Sequence, residues 1–284
     1  MAETPRWMLP ADHQRSLQAE QAVPAPPVDL RTDQPHSARV YDYIIGGKTN
    51  FPADRETAAK SLERWPGLRT SMRLNRACMR RIARRLTELG ARQFMDIGTG
   101  IPTSPNLHEV VQAEAPEARI AYVDNDPIVL AHARALLSST PEGRTGYVQA
   151  DMRDVDGLLA DPVLNGILDL GRPIALTLIA VLQFVEDAHG LVRALTERLP
   201  SGSHLALTIP TGELAAESRA LAEEYTANGI PMYLRSRAEV EALFEGFELL
   251  GPGIVPMTRW EPDPGEERLP DDTTNMYAGM GVKP

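Results

Sequence analysis

Three aspartates carry the spacing from which a chemical reading can start. Asp96 stands in Phe94-Met95-Asp96-Ile97-Gly98-Thr99-Gly100, Asp124 in Tyr122-Val123-Asp124-Asn125-Asp126, and Asp151 in Gln149-Ala150-Asp151-Met152. Glycines at a strand end let the backbone pass close to a ligand, and a helix start just beyond offers free N–H groups. An acid about twenty residues further on, at the end of the next strand, is placed to accept hydrogen bonds from ribose hydroxyls. Asp126 caps the helix that follows, which leaves Asp124 for that role. A carboxylate beside the glycine turn repels a pyrophosphate and attracts a cation. The third glycine of the dinucleotide fingerprint is replaced by Thr103, a further mark against NAD. The pattern predicts a site for a positively charged nucleoside.

The surrounding elements must bring these residues to one edge. Strands are predicted at 93–97, 119–123, 147–150, 174–181 and 204–209, separated by helices at 105–115, from Pro127 to about Leu137, at 155–168 (broken) and at 190–199. Ser104 is the expected cap of the first of these. Repeated strand–helix alternation implies a parallel sheet with helices on both faces. The end of the chain departs from it. A polar helix is expected at 213–228, a capping box opens another at Ser236-Arg237-Ala238-Glu239, and strands at 247–250, 254–260 and 276–282 close the sheet as a hairpin. Ahead of the alternation a short apolar-aromatic segment at 38–45 ends in Gly46-Gly47, a helix stop or turn, and a helix is expected at 54–62. A longer helix at 68–89 carries Leu68, Met72, Cys78, Ile82, Leu86 and Leu89 at helical spacing, with seven arginines on its other faces. Those arginines read as a solvated basic face or as a surface toward an anionic partner.

Composition sets outer bounds. The chain has 284 residues, a net charge of −10 and a single cysteine, Cys78. That charge opposes nucleic-acid binding, which needs a basic footprint. One cysteine excludes an internal disulfide framework and fits a reducing cytoplasm. No apolar run is long enough to span a membrane, and no basic-then-apolar leader pattern is present, so neither insertion nor export is expected. His13, His36, His132, His189 and His204 show no metal-ligand spacing, and no metal is expected. Residues 1–35, rich in proline, are expected to be a disordered tail.

On these motifs the chain resembles the class I S-adenosylmethionine-dependent methyltransferases. More narrowly it resembles a bacterial S-adenosyl methyltransferase family formerly described as a domain of unknown function. Ser37-Ala38-Arg39-Val40-Tyr41-Asp42-Tyr43-Ile44-Ile45-Gly46-Gly47-Lys48-Thr49-Asn50-Phe51 also carries that likeness, with Asp96–Thr103 and Tyr122–Pro127. The resemblance implies a Rossmann-like α/β fold with a mostly parallel seven-stranded sheet and an antiparallel C-terminal edge. The expected division is 1–35 tail, 36–90 N-terminal helical cap and 91–284 cofactor-binding domain. It implies S-adenosylmethionine as cofactor, with Asp96, Gly98, Thr99 and Gly100 as the methionine loop and Asp124 as the ribose acid. Asn125, Asp151 and Met152 would lie at the adenine, and Ala180 and Val181 would turn their backbone toward the donor. Two positions depart from the pattern. Pro102 stands where many such enzymes have a third glycine, and Gln183 stands where a histidine is expected.

Methyl transfer needs orientation more than a reactive side chain. The acceptor wall is expected from the N-terminal segment and from the insertion after the fifth strand. Its candidates are Tyr41, Tyr43, Phe51, Gln183, Glu213, Tyr225 and Trp260, with His108 as a further one. Lys48 and Asn50 follow Gly46-Gly47, and this turn is expected to fold over the donor and close the site. The reading is a methyltransferase acting on oxygen or nitrogen of a small molecule. A donor-binding sensor without methyl transfer is the alternative, and the oligomeric state is open.

Overall fold

Five apolar runs form the centre of the sheet: β1 (Gln93–Ile97), β2 (Arg119–Asp124), β3 (Arg144–Gln149), β4 (Ala175–Ile179) and β5 (His204–Pro210). They are parallel, in the order β3-β2-β1-β4-β5. The winding reverses between β1 and β4, where α/β sheets open a crevice at the carboxyl ends of their strands. The computed structural model describes residues 30–136 and 138–284, and Arg31–Pro284 forms one compact unit. Most of the expected tail, with His13, lies outside the described residues, as does Leu137. Residues 31–35 of that expected tail are instead tied down: Arg39 Nη2 donates to the carbonyls of Arg31 and Gln34 at 3.2 and 3.0 Å.

The sheet has eight strands rather than seven. β8 (Met276–Val282) runs antiparallel to β5, and two short pieces, β6 (Glu248–Leu249) and β7 (Val255–Pro256), both pair with β8. The predicted strand at 254–260 is thus mostly not a strand. After Pro256 the chain tightens into a 3₁₀ turn, Met257–Arg259, which drives Trp260 into the core.

Side chains alternate between the two faces of the sheet. Met95, Ile97, Leu176, Leu178, Leu205 and Leu207 pack to one side, against α6 (Val155–Ala160), α7 (Pro162–Ile167), α8 (Ala188–Glu197) and α10 (Arg237–Ala242). Phe94, Ile120, Tyr122 and Met280 pack to the other. There they meet α4 (Leu107–Glu114) and the apolar stripe Cys78, Met79, Ile82 and Leu86 of α3 (Leu68–Glu88). The helix predicted from Pro105 starts two residues later because Arg76 Nη2 draws the carbonyls of Thr103 and Pro105 outward. Asn106 and Glu109, not Ser104, form its capping box. Helix α5 (Pro127–Leu136) follows β2, and Asp126 Oδ1 accepts from Ile128 N at its start.

The remaining helices gather over the crevice. α1 (Ser37–Ile45) ends at Gly46 in the left-handed conformation, and α2 (Pro52–Arg64) follows. Their apolar faces share a small core with Leu68 of α3 and with Leu221 and Tyr225 of α9 (Ser218–Ala227). Arg39 reaches from α1 to both Asp54 (3.4 Å) and Asp126 (3.5 Å), which fastens the helical layer to the end of β2. Among the described residues no helix is long and apolar enough to cross a membrane.

Candidate active site

Parallel pairing sets the aspartates as a staircase on one side of the sheet. Asp96 lies opposite Tyr122, two residues before Asp124, and Asp124 lies opposite Gln149, two residues before Asp151. All three line a single cavity of about 280 Å³ above the strand ends, together with Gly98, Thr99, Gly100, Asn125, Met152, Ala180 and Val181. The same cavity runs on under α1, α3 and α9, past Tyr41, Met72, Asn75, Gln183, Phe184 and Tyr225.

Each acid meets a different environment. Asp96 is buried, and burial pushes its carboxyl up to about 6 against the Thr177 hydroxyl that donates to Oδ1 at 2.6 Å and the nearby charge of Arg76. It has no ion-pair partner among the described residues. Asp124 accepts from Gly100 N at 2.8 Å and from Asp126 N at 2.9 Å, so it clamps the glycine turn. Burial raises its pKa despite those bonds. Asp151 is half-exposed, and the Arg153 guanidinium chelating it holds its carboxyl below the usual range.

The turns that shape the floor are conformationally demanding. Gly98 has φ +73, and a Cβ there would lie 2.2 Å from Val181 Cγ2. Gly100 has φ +68, and a Cβ there would meet nothing within 4 Å. Ala180, a non-glycine at φ +52, holds a conformation that costs of order 1–3 kcal/mol and gathers at functional sites. It turns the chain so that Val181 and Gln183 line the cavity.

Several predicted residues lie elsewhere. Lys48 is exposed and does not line the cavity, and Asn50 is spent on its own turn, donating to Asp42 Oδ2 (2.8 Å) and the Gly47 carbonyl (3.1 Å). The glycine turn folds back on Asp42 rather than over the strand ends. Phe51 packs on Ile101, Ile128 and Val129 beneath the Arg39 guanidinium, and Tyr43 joins the small helical core. His108 is buried behind the site, its Nδ1 2.9 Å from the Tyr122 hydroxyl, and burial lowers its pKa. Trp260 packs on α3, where Arg81 Nε takes its carbonyl at 3.0 Å. Glu213 Oε2 is spent on Arg237 N and the Tyr277 hydroxyl. Conversely, Arg76, Asn75, Met79, Asn275 and Met276 line the cavity and were not singled out. Arg76 was hidden among seven arginines, of which helical spacing alone does not say which one faces inward.

The model of a family described as S-adenosyl methyltransferase matches residues 24–284. The chain belongs to that family. This S-adenosyl methyltransferase is 52% identical to a DUF574 family protein from Streptomyces avermitilis MA-4680, over 90% of this chain and 100% of that one, with a TM-score of 0.87. It is 37% identical to a candidate methyltransferase from Thermobifida fusca YX, over 91% of this chain and 98% of that one, with a TM-score of 0.83. The plantazolicin methyltransferase BpumL, solved with a triazolic desmethylPZN analogue and S-adenosylhomocysteine, is 10% identical over 87% of this chain and 95% of that one. Its TM-score of 0.52 marks a shared fold alone. No curated protein matches. The protein is an S-adenosylmethionine-dependent methyltransferase of Rossmann-like fold.

The residues present fit that cofactor. A buried carboxylate without a cationic partner suits an ammonium, and a guanidinium nearby suits a carboxylate. A glycine turn with no room for a Cβ at Gly98 and open space at Gly100 suits a ligand lying against the backbone. Among the described residues no cluster of His, Cys, Asp or Glu could hold a metal ion.

Proposed function

We propose that the enzyme methylates oxygen or nitrogen of a small-molecule acceptor, with the donor along the strand ends and the acceptor under the helical layer. In this reading Asp96 takes the donor's ammonium, Arg76 its carboxylate and Asp124 its ribose hydroxyls. Asn125, Asp151 and Met152 flank the adenine, and the backbone of Ala180 and Val181 faces the sulfur. The helices of 36–90 supply the acceptor wall and residues 91–284 the donor floor, with α3 serving both. One observation carries the reading: a single cavity joins the three aspartates to a mostly apolar chamber lined by Ile45, Leu68, Met72, Phe184, Leu221 and Met232. A chamber with that lining suits a small molecule.

S-adenosylmethionine supplies a methyl group made electrophilic by a positively charged sulfur. The chain's part is to hold two partners in line and to keep water from between them, and fixed orientation can contribute about 7–11 kcal/mol. The test pairs two measurements. Calorimetric titration with S-adenosylhomocysteine is expected to show one site per chain. Incubation with S-adenosylmethionine and a panel of amines, phenols, carboxylic acids and thiols is expected to release S-adenosylhomocysteine with some of the nitrogen or oxygen nucleophiles only. Release with thiols alone would overturn the acceptor reading.

A control follows from the exposed turn. Lys48→Ala is expected to leave S-adenosylhomocysteine affinity within about twofold, the size of an ordinary surface change. A loss of tenfold or more in calorimetry would restore Lys48 to the site.

A further inference from the structure

Under the helices, the few polar groups of the cavity wall are almost fully engaged. Tyr41 donates to the Met72 carbonyl at 2.9 Å, Asn75 Nδ2 donates to the Tyr41 hydroxyl at 3.3 Å, and the Thr208 hydroxyl donates to Asn75 Oδ1 at 2.7 Å. Ser71 donates to Asn275 Oδ1 at 3.4 Å. Gln183 is the exception. It is 6% exposed, lines the cavity, and donates Nε2 to the Ala180 carbonyl at 2.7 Å, yet its Oε1 is buried with no partner. A carbonyl can only accept, so the amide cannot be turned over without losing that bond. Its backbone is pinned from outside: Tyr233 N donates to the Gln183 carbonyl at 2.8 Å, and Arg235 holds the carbonyls of Leu182 and Val185. A buried acceptor left unmade is costly, and each such atom in a folded protein calls for an explanation.

The same stretch of wall offers no uncommitted base. Ile45, Leu68, Ser71, Met72, Asn75, Met79 and their neighbours from α9 and β8 include no Asp, Glu, His or Lys. His36 and Asp42 also line the cavity, and His36 Nδ1 lies 3.3 Å from Asp126 Oδ2. The Asp42 carboxylate is turned onto Thr49 N and Asn50. Burial raises the pKa of Tyr41 and of Tyr225, so both remain hydroxyls. An aliphatic alcohol would have to shed its proton to an uncommitted base, which this stretch of wall does not offer. A neutral amine would not, because its lone pair is already free.

We infer that Gln183 positions the acceptor, its Oε1 accepting a hydrogen bond from the N–H of a neutral amine carried on an apolar body. The inference rests on the donor and acceptor placement proposed above and narrows its acceptor to nitrogen. With one N–H on Oε1, the nitrogen lone pair is fixed in direction. As the N–CH₃ bond forms, the S–CH₃ bond breaks and its electron pair stays on sulfur. The nitrogen becomes positively charged, keeps its proton on Oε1, and gives that proton to water after the product leaves.

The test uses the full chain saturated with S-adenosylhomocysteine and three probes of one shape. These are 1,2,3,4-tetrahydroquinoline, its N-methyl derivative, and tetralin, which lacks the nitrogen. In calorimetry at pH 8 the N–H probe is expected to bind about tenfold more tightly than either other probe, the scale of one hydrogen bond to a buried acceptor. Gln183→Leu, checked to still bind S-adenosylhomocysteine, is expected to erase that preference. With S-adenosylmethionine the amine, and not 1-tetralol, is expected to be methylated. Equal binding of the three probes by the wild type, which needs no variant, would overturn the inference, as would a preference that survives Gln183→Leu. Absence of heat from S-adenosylhomocysteine itself would instead sink the cofactor placement, and the inference with it.

Discussion

Asp96→Asn is expected to raise the Tm of the ligand-free protein at pH 8 and to weaken S-adenosylhomocysteine binding about a hundredfold or more. Both effects come from one buried charge. The Asp96 carboxyl is pushed from its ordinary value of 3.8 up to about 6, with burial as the largest cause. A raised folded-state pKa means that the native protein binds a proton more readily than the unfolded chain. Ionised Asp96 therefore costs stability above pH 6, on the order of 3 kcal/mol by linkage. That cost is relieved as pH falls from 6 toward 4. Asparagine is neutral throughout and its Oδ1 can still accept from Thr177, so the variant's advantage should be present at pH 8 and gone near pH 4. Binding runs the other way. The ammonium of the ligand needs the carboxylate, and removing one partner of a buried charge pair costs about 2–5 kcal/mol. Wild-type affinity should accordingly fall about tenfold for each pH unit below 6, while the variant stays weak and flat over that range. Thermal melts at pH 4, 5, 6, 7 and 8 and calorimetry at pH 5, 6, 7 and 8 check both. A variant that melts lower than wild type at pH 8 would defeat the burial account, and one that binds with wild-type affinity would remove Asp96 from the ammonium.

The local part of this site was legible in the sequence, and the long-range part was not. Strand β1 with its glycine turn, and β2 with Asp124 followed by a capping Asp126, are read from neighbours within a few residues, and the structure has them there. The three aspartates converge because each stands at the carboxyl end of a strand in one parallel sheet, and alternating strands and helices predict parallel pairing, while strand order and register emerge from the structure. Turn and aromatic assignments failed where a side chain's target lay far along the chain. Asn50 is the short-range exception: Asp42 is only eight residues away, but the sequence does not say that the turn at Gly46-Gly47 will bring Asn50 onto it rather than toward a ligand. Nothing near Trp260 says that a 3₁₀ turn will rotate it onto α3, where Arg81, 179 residues away in sequence, takes its carbonyl. Arg76 was lost for the same reason, since its carbonyl partners at Thr103 and Pro105 belong to another element. Gln183 was legible as a position, but its unpaired oxygen emerges only once the Ala180 carbonyl is seen to fix the amide.

Gly98→Ala and Gly100→Ala should separate folding from binding within one turn. Both residues have positive φ, +73 and +68, and an L side chain there costs about 1–2 kcal/mol. Only at Gly98 does the new methyl also collide, at 2.2 Å from Val181 Cγ2 and 2.6 Å from its Cβ. Neither atom can swing away, because valine is stiff at χ1 and Val181 packs among Leu178, Leu182 and their neighbours. The segment could retreat only by moving Ala180, itself already at φ +52. Overpacking of this kind adds about 1–3 kcal/mol, so Gly98→Ala should lose about 2–5 kcal/mol in all, a fall in Tm on the order of 10 °C. Val181→Ala in the same chain removes the contact with Cγ2 and keeps the one with Cβ, so it should return part of the steric share and leave the conformational one, a positive coupling that a double-mutant cycle measures. Gly100→Ala should lose only the conformational share in stability. Its methyl points into open space on the cavity wall, however, so S-adenosylhomocysteine affinity should suffer more there than melting does. Equal loss of stability in the two variants, or failure of Val181→Ala to rescue the first, would mean that backbone conformation alone governs the turn. The contact between the glycine loop and the chain leaving β4 would then not be what holds the cavity floor in place.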